Sequence, residues 1–189
     1  MNKKELRKDM HEKLADFNPE KRKEIEKQLH EYLFNSKLWK NAQVVGVTIS
    51  GETEWDTRAI IERGWQDNKI VCVPKTKPQT KEMVFYAIDD FSQTEKGFFN
   101  LVEPLPEKAE TVNKESIDLL IVPGLLYNKY GYRIGFGGGY YDRFLEDFHR
   151  STVSLLHSSQ LMEDIPLKPH DIPVQYLITE KGLFESRNG

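Results

Sequence analysis

The chain has 189 residues, 38% hydrophobic and 30% charged, with a net charge of −3. That length corresponds to about one domain, large enough to bury a core, and the acidic balance excludes a general nucleic-acid or membrane-surface binder, which would show a basic excess. No apolar run approaches the ~18–20 residues of a membrane span. Cys72 is the only cysteine, which excludes an intramolecular disulfide and a cysteine-based zinc site.

The N-terminal Met-Asn-Lys-Lys-Glu-Leu-Arg is charged, with no apolar segment behind it. No signal peptide is expected, and a cytoplasmic location follows. Leu6, Met10 and Leu14 then stand four apart and predict an amphipathic helix. Asn18-Pro19 reads as the N-cap and first position of a second helix, with Ile25, Leu29, Tyr32 and Leu33 on one face. The two helices account for roughly the first 38 residues.

The period then changes. Residues 44–49 are apolar and β-branched, the mark of a buried strand. Asp56-Thr57 caps a helix that Gly64 is expected to stop. Strands follow at 70–73, ended by Pro74, at 83–87 and at 117–122. Residues 140–148 read as a helix, and 153–156 and 176–179 as further strands. Segments 75–81 and 104–115 read as exposed loops. Alternating strands and helices predict a three-layer α/β fold, a mostly parallel sheet with helices on both faces. One domain spanning residues 1–189 is expected.

Residues 131–139 hold five of the chain's 12 glycines, just before the helix expected at Tyr140. Glycines let backbone N–H groups approach an anion without Cβ clashes, and a helix N-terminus adds free N–H groups. Arg133 supplies a guanidinium fork suited to phosphate oxygens. Tyr127, Tyr130, Tyr132, Phe136, Tyr140 and Tyr141 crowd the loop, as in a pocket wall for a planar ring. No Gly-Lys-Ser/Thr occurs, so this is not a P-loop. Asp142 fits two readings by spacing alone: a carboxylate complementing the helix dipole, or a magnesium ligand beside bound phosphates. The five histidines show no zinc spacing.

The string Val122-Pro123-Gly124-Leu125, then Gly131-Tyr132-Arg133-Ile134-Gly135 and Gly137-Gly138-Gly139-Tyr140-Tyr141-Asp142, resembles the signature of the 5-formyltetrahydrofolate cyclo-ligases, also called methenyltetrahydrofolate synthetases. The resemblance extends to the N-terminal Lys-Lys-Glu-Leu-Arg, to Glu54-Trp55-Asp56-Thr57, to Val73-Pro74-Lys75 and to Pro169-His170-Asp171-Ile172-Pro173. It implies a fold similar to ribose-phosphate isomerase and CoA-transferase domains. It also implies an ATP- and Mg²⁺-dependent closure of 5-formyltetrahydrofolate to 5,10-methenyltetrahydrofolate, with small-molecule partners only.

By this resemblance Lys3, Lys4 and Arg7 reach ATP from the first helix, together with Arg133, Ile134, Gly135, Phe136, Gly137, Gly138, Gly139, Tyr140 and Tyr141. Ile49, Glu54, Phe99 and Tyr140 contact the folate, Glu54 as its carboxylate acceptor. Asp142 and Asp171 hold the metal, and Arg133 and Asp142 carry the catalytic roles. Some members have Lys at the position of Gly138, so here Lys129, Arg133 and Lys75 become candidates to face the terminal phosphate. A monomer is expected. The alternatives are another enzyme of the same fold or a paralogue that binds nucleotide or folate without turnover.

Overall fold

The computed structural model describes residues 1–97 and 100–186. Helix α1, Lys3–Ala15, starts on a capping box in which Asn2 and Glu5 serve each other's backbone amides. Helix α2, Pro19–Asn35, is capped by Asn18 with Pro19 at its first position, and it buries Ile25, Leu29 and Leu33. Tyr32, expected on the same face, is exposed instead, because the 25/29/33 stripe already fills the contact. A short helix α3, Lys37–Asn41, follows and buries Trp39.

Strand β1 covers only Val44–Gly46, shorter than the apolar run that announces it. Helix α4, Arg58–Gln66, runs straight through Gly64. Gly64 is a contact point rather than a stop: a Cβ there would lie 2.5 Å from Val71 Cγ2 of the adjoining strand. That strand, β2, spans Ile70–Lys77 and continues past Pro74. Its register with β1 ends at Cys72, so at Pro74 only one side of β2 has a strand partner, and the missing N–H costs no ladder bond.

Strand β3, Glu82–Ile88, pairs back on β2 as an antiparallel hairpin. The two expected loops are therefore partly strand: residues 75–77 belong to β2, and β4 (Thr94–Lys96), β5 (Val102–Pro104) and β6 (Glu110–Val112) fill the region before the next strand. The remaining elements are β7 (Leu119–Ile121), β8 (Leu126–Tyr127), β9 (Arg133–Ile134), α5 (Tyr140–Leu145), β10 (Ser151–Leu155), β11 (Tyr176–Thr179) and β12 (Gly182–Glu185). Helix α5 has six residues, shorter than the expected 140–148.

Eight strands form one sheet in the order β12-β11-β10-β7-β1-β2-β3-β6. Every pairing from β11 to β2 is parallel, and β12, β3 and β6 extend the edges antiparallel. Alternation sorts the strands between two apolar layers. Val45, Val71, Val73, Leu119, Ile121 and Val153 pack with the buried residues of α1 to α4. Cys72, Phe85, Leu120, Val122 and Leu177 pack with Phe144 and Leu145 of α5 on the other face. The parallel centre is thus covered on both sides, as a parallel sheet requires. Among the described residues no helix is long and apolar enough to cross a membrane.

Candidate functional site

The glycine loop divides into two parts with different work. Gly131 is buried in the turn between β8 and β9, at φ +87°, and a Cβ on it would fall 2.1 Å from the Val174 carbonyl oxygen. It packs the turn against the 172–175 segment, with Val174 N–H donating to its carbonyl at 2.9 Å. Gly135 and Gly137–Gly139 form the open part, between β9 and α5. Gly137 and Gly139 take φ of +108° and +73°, the left-handed region that suits glycine, and Gly139 is the N-cap of α5. Nothing lies within 4 Å of a Cβ position at Gly135 or Gly139, so this backbone is bare on one side.

Helix α1 supplies the charge facing that bare backbone. Arg7 Nε–H donates to the Gly135 carbonyl at 2.8 Å, and its guanidinium carbon lies 3.6 Å from the Cβ position of Gly137. Lys3, one turn earlier on the same face, pairs with Asp171 at 3.4 Å. Lys4, expected beside them, is exposed. Of the cations expected at the terminal phosphate, Lys75 sits 3.9 Å from Glu103 and Lys129 lies over the Tyr130 ring at 5.3 Å. The ring of Tyr140 packs on Gly138, where a Cβ would come within 2.6 Å of it, and Lys81 lies 5.5 Å over the same ring.

Arg133 is placed differently from a free phosphate ligand. Its side chain is 5% exposed, and its two Nη groups donate to the Ile172 carbonyl at 2.8 Å and to Asp142 Oδ1 at 3.4 Å. Asp142 Oδ1 also accepts the Ile172 amide at 3.0 Å. Arg133 therefore ties Asp142 to the 171–172 segment. Both Nη groups are taken up by these partners, so the fork is committed to this strut. Ile134 is buried beside it. Tyr141 is buried, its hydroxyl without a hydrogen-bond partner among the described residues, and burial pushes its phenol well above the usual range.

Asp142 and Asp171 come together through this strut, since Ile172 follows Asp171 directly. Asp171 Oδ2 accepts the Lys168 amide at 2.7 Å besides its pairing with Lys3. On each carboxylate one oxygen carries the hydrogen bonds. Among the described residues no group of three or more His, Cys, Asp or Glu forms an all-protein metal cage. Two carboxylates beside an anion cradle nevertheless fit a hydrated hard dication, which takes its other ligands from phosphate and water.

A cleft opens next to the cradle, lined among others by Thr48, Thr53, Glu54, Trp55, Phe136 and Gln160. Phe136 belongs to the glycine loop, so the two features share a wall. Glu54 Oε2 accepts the Gly51 amide at 2.7 Å. Burial raises the Glu54 carboxyl above its ordinary value, opposed by that amide and by the charge of His11. Ile49 is buried in the core layer under Thr48 and takes no part in the lining. Phe99 lies outside the described residues. Gln160 was not singled out from the sequence. It is 1% exposed, accepts Trp55 Nε1–H at 2.7 Å and donates to the Leu125 carbonyl at 3.0 Å, fixing the Trp55 ring against the cleft.

Fold and geometry together define an α/β protein with an open glycine backbone, faced by Arg7, beside an apolar-walled cleft. Residues 1–180 match the model of the 5-formyltetrahydrofolate cyclo-ligase family, and the chain belongs to that family. The 5-formyltetrahydrofolate cyclo-ligase of Escherichia coli K12 is 31% identical over 148 residues, covering 76% of this chain and 81% of that one. The mouse protein of the same description is 24% identical over 186 residues, covering 93% and 92%. The 5,10-methenyltetrahydrofolate synthetase structure from Aquifex aeolicus superposes with a TM-score of 0.87 at 31% identity, over 100% of this chain and 95% of that one. A Mycoplasma pneumoniae structure, at 19% identity and a TM-score of 0.76, shares the fold. The chain is accordingly a ligase of folate one-carbon metabolism.

Proposed function

We propose that the chain converts 5-formyltetrahydrofolate to 5,10-methenyltetrahydrofolate with consumption of ATP, releasing ADP and phosphate in the presence of Mg²⁺. The observation that carries this reading is the shared wall. Phe136 of the anion cradle and Glu54 of the folate-facing loop line one cleft, so a phosphoryl donor and a pterin acceptor would meet there.

In this reading the γ-phosphoryl group of ATP passes to the formyl oxygen of the substrate. The N10 amine then attacks the formyl carbon and gives up its proton to the departing phosphate or to solvent, the carbon–oxygen bond to phosphate breaks, and the methenyl bridge remains. Phosphoryl transfer asks mainly for positioning and charge stabilisation. The backbone of residues 135–139 and the Arg7 guanidinium would cradle the phosphates. Lys3 would hold Asp171 in place, and Arg133 would hold Asp142. Asp142 and Asp171 would carry the Mg²⁺, which when bound neutralises phosphate charge. Glu54 would accept hydrogen bonds from pterin N–H groups, with Trp55 and Phe136 along the apolar body of the ligand. All these residues come from one chain, so one chain, acting as a single catalytic unit, would hold a whole site.

Methenyltetrahydrofolate absorbs in the near ultraviolet where the substrate does not. A rise in that absorbance that needs both ATP and Mg²⁺ is expected from purified protein and 5-formyltetrahydrofolate. No rise, or a rise without ATP, would sink the reading.

A further inference from the structure

Helix α2 lies against the loop that carries Glu54 and Trp55. It grips that loop through three side chains at positions 22, 26 and 30, one turn apart on a half-buried stripe beside Ile25 and Leu29. Arg22 Nη2 donates to the Thr53 carbonyl at 2.8 Å and to the Glu54 carbonyl at 2.7 Å. Its Nη1 donates to the Leu14 carbonyl at 3.2 Å, near the end of α1. The Arg22 guanidinium also lies 4.5 Å over the Trp55 ring. Glu26 accepts the Asp56 amide. His30 Nε2 stands 2.8 Å from the Asp56 carbonyl oxygen, so that nitrogen carries the proton.

The loop makes few bonds of its own at this point. Glu54 N–H reaches the Gly51 carbonyl at 3.3 Å, and the Glu54 side chain takes the Gly51 amide. Without α2 the carbonyls of Thr53, Glu54 and Asp56 would turn to water, leaving the loop held only by the Ser50–Thr57 bonds at its base and by Gln160 on the Trp55 ring. Among the described residues no ion pair involves Arg22, so its charge is spent on backbone carbonyls and an aromatic face. Charge-assisted bonds to carbonyls are stronger than neutral ones, and a planar fork serves several acceptors where an ammonium cannot.

We infer that Arg22, supported by Glu26 and His30, is the positioning device for the folate-facing wall. It sets Glu54 and Trp55 relative to α1, the helix that carries Lys3 and Arg7, through the Leu14 carbonyl. Arg22 touches no reacting atom; it acts through Glu54 and Trp55. The inference rests on the reading that Glu54 faces the folate.

The test compares Arg22→Met, which keeps the stem over Trp55 and loses the fork, with Arg22→Lys, which keeps a donor. Steady-state kinetics on the full chain should show the KM for 5-formyltetrahydrofolate raised about tenfold in Arg22→Met. The KM for ATP should stay within about twofold, with Arg22→Lys in between. Hydrogen exchange should speed up at the Asp56 amide while β7 and β10 keep their protection. An unchanged folate KM would overturn the inference. So would equal rises in both KM values with protection lost across the sheet, the mark of general destabilisation. Should Arg22→Met fail to fold, Glu26→Ala against Glu26→Gln asks the same question, because Gln keeps an acceptor for the Asp56 amide. A wild-type protein without ATP-dependent turnover sinks the proposed reaction, and then the exchange contrast alone decides whether α2 holds the loop.

Discussion

The glycine cradle and the 51–57 loop face the same cleft, but different parts of the chain hold them. The cradle collects partners from far apart: Arg7 reaches Gly135 across 128 positions, and Lys3 reaches Asp171 across 168. Its contacts are charged and partly open to solvent. The loop is held by one nearby helix through hydrogen bonds to backbone groups, with Trp55 pinned from the far side by Gln160. Cradle charges are therefore placed where a charged ligand can use them, while the loop contacts are consumed within the protein. Substitutions of the cradle charges should move activity with little change in stability, and a substitution at the packed Gly131 of the same glycine run should do the reverse.

The largest expected effect tests the cradle. Asp142→Asn keeps an oxygen for the Ile172 amide and loses the charge. Turnover should fall by at least about a hundredfold, with the thermal transition and circular dichroism unchanged. Wild-type turnover in this variant would remove Asp142 from the metal site. Gly131→Ala asks the opposite question, because Gly131 belongs to the packed part of the same glycine run. Its positive φ and the 2.1 Å approach to the Val174 carbonyl predict a loss of about 2–3 kcal/mol. That should lower the melting temperature by several degrees, with folate and ATP KM values unchanged in the protein that remains folded. A smaller effect is expected at Arg7. Arg7→Met should raise the KM for ATP about tenfold, the worth of a charge-assisted hydrogen bond, and leave the folate KM alone. A folate effect as large as the ATP effect would mean that the two regions are not separate.

These contrasts also explain what the sequence made legible. The cradle was readable because positive-φ glycines leave a compositional mark that few other structures leave. Helices α1 and α2 were readable from a four-residue period and from Asn18-Pro19. Glu54, Asp171, Lys3 and Arg7 came from family resemblance, and Arg22 and Gln160, which hold the 51–57 loop, came from neither source. Arg22 and Gln160 donate to backbone carbonyls, and a carbonyl accepts a hydrogen bond whatever side chain stands beside it. Such contacts impose no residue type on the partner and so create no motif. The same limit applies to Pro74 and Gly64. Each punctuates a strand or helix locally, yet here Pro74 falls where one strand neighbour has ended and Gly64 where a helix must press on Val71. Tertiary context, not local propensity, decided both. Arg133 shows the reverse error: residue type suggested a phosphate fork, and burial turned that fork toward Asp142 and Ile172.

The smallest effect sharpens the comparison most, because Glu54 belongs to the cleft and still reports on its own wall. Burial raises the Glu54 carboxyl above the ordinary 4.5, against the Gly51 amide and the charge of His11. An acid whose folded value is raised binds its proton more readily in the folded state than in the unfolded one. Its contribution to stability is full below the unfolded value and is lost as pH rises through the raised one. At neutral pH wild type therefore bears the cost of an ionised, half-buried carboxylate, which Glu54→Gln escapes while keeping an oxygen for the Gly51 amide. The variant should melt about 2 °C higher at pH 7, and the gap should close below about pH 4, where both side chains are neutral. Its KM for 5-formyltetrahydrofolate should rise in the same preparation, since a neutral amide accepts pterin N–H bonds more weakly. A variant that gains stability and loses folate affinity places the carboxylate where the ligand, not the fold, needs it. A variant that loses both would make Glu54 part of the same structural grip as Arg22.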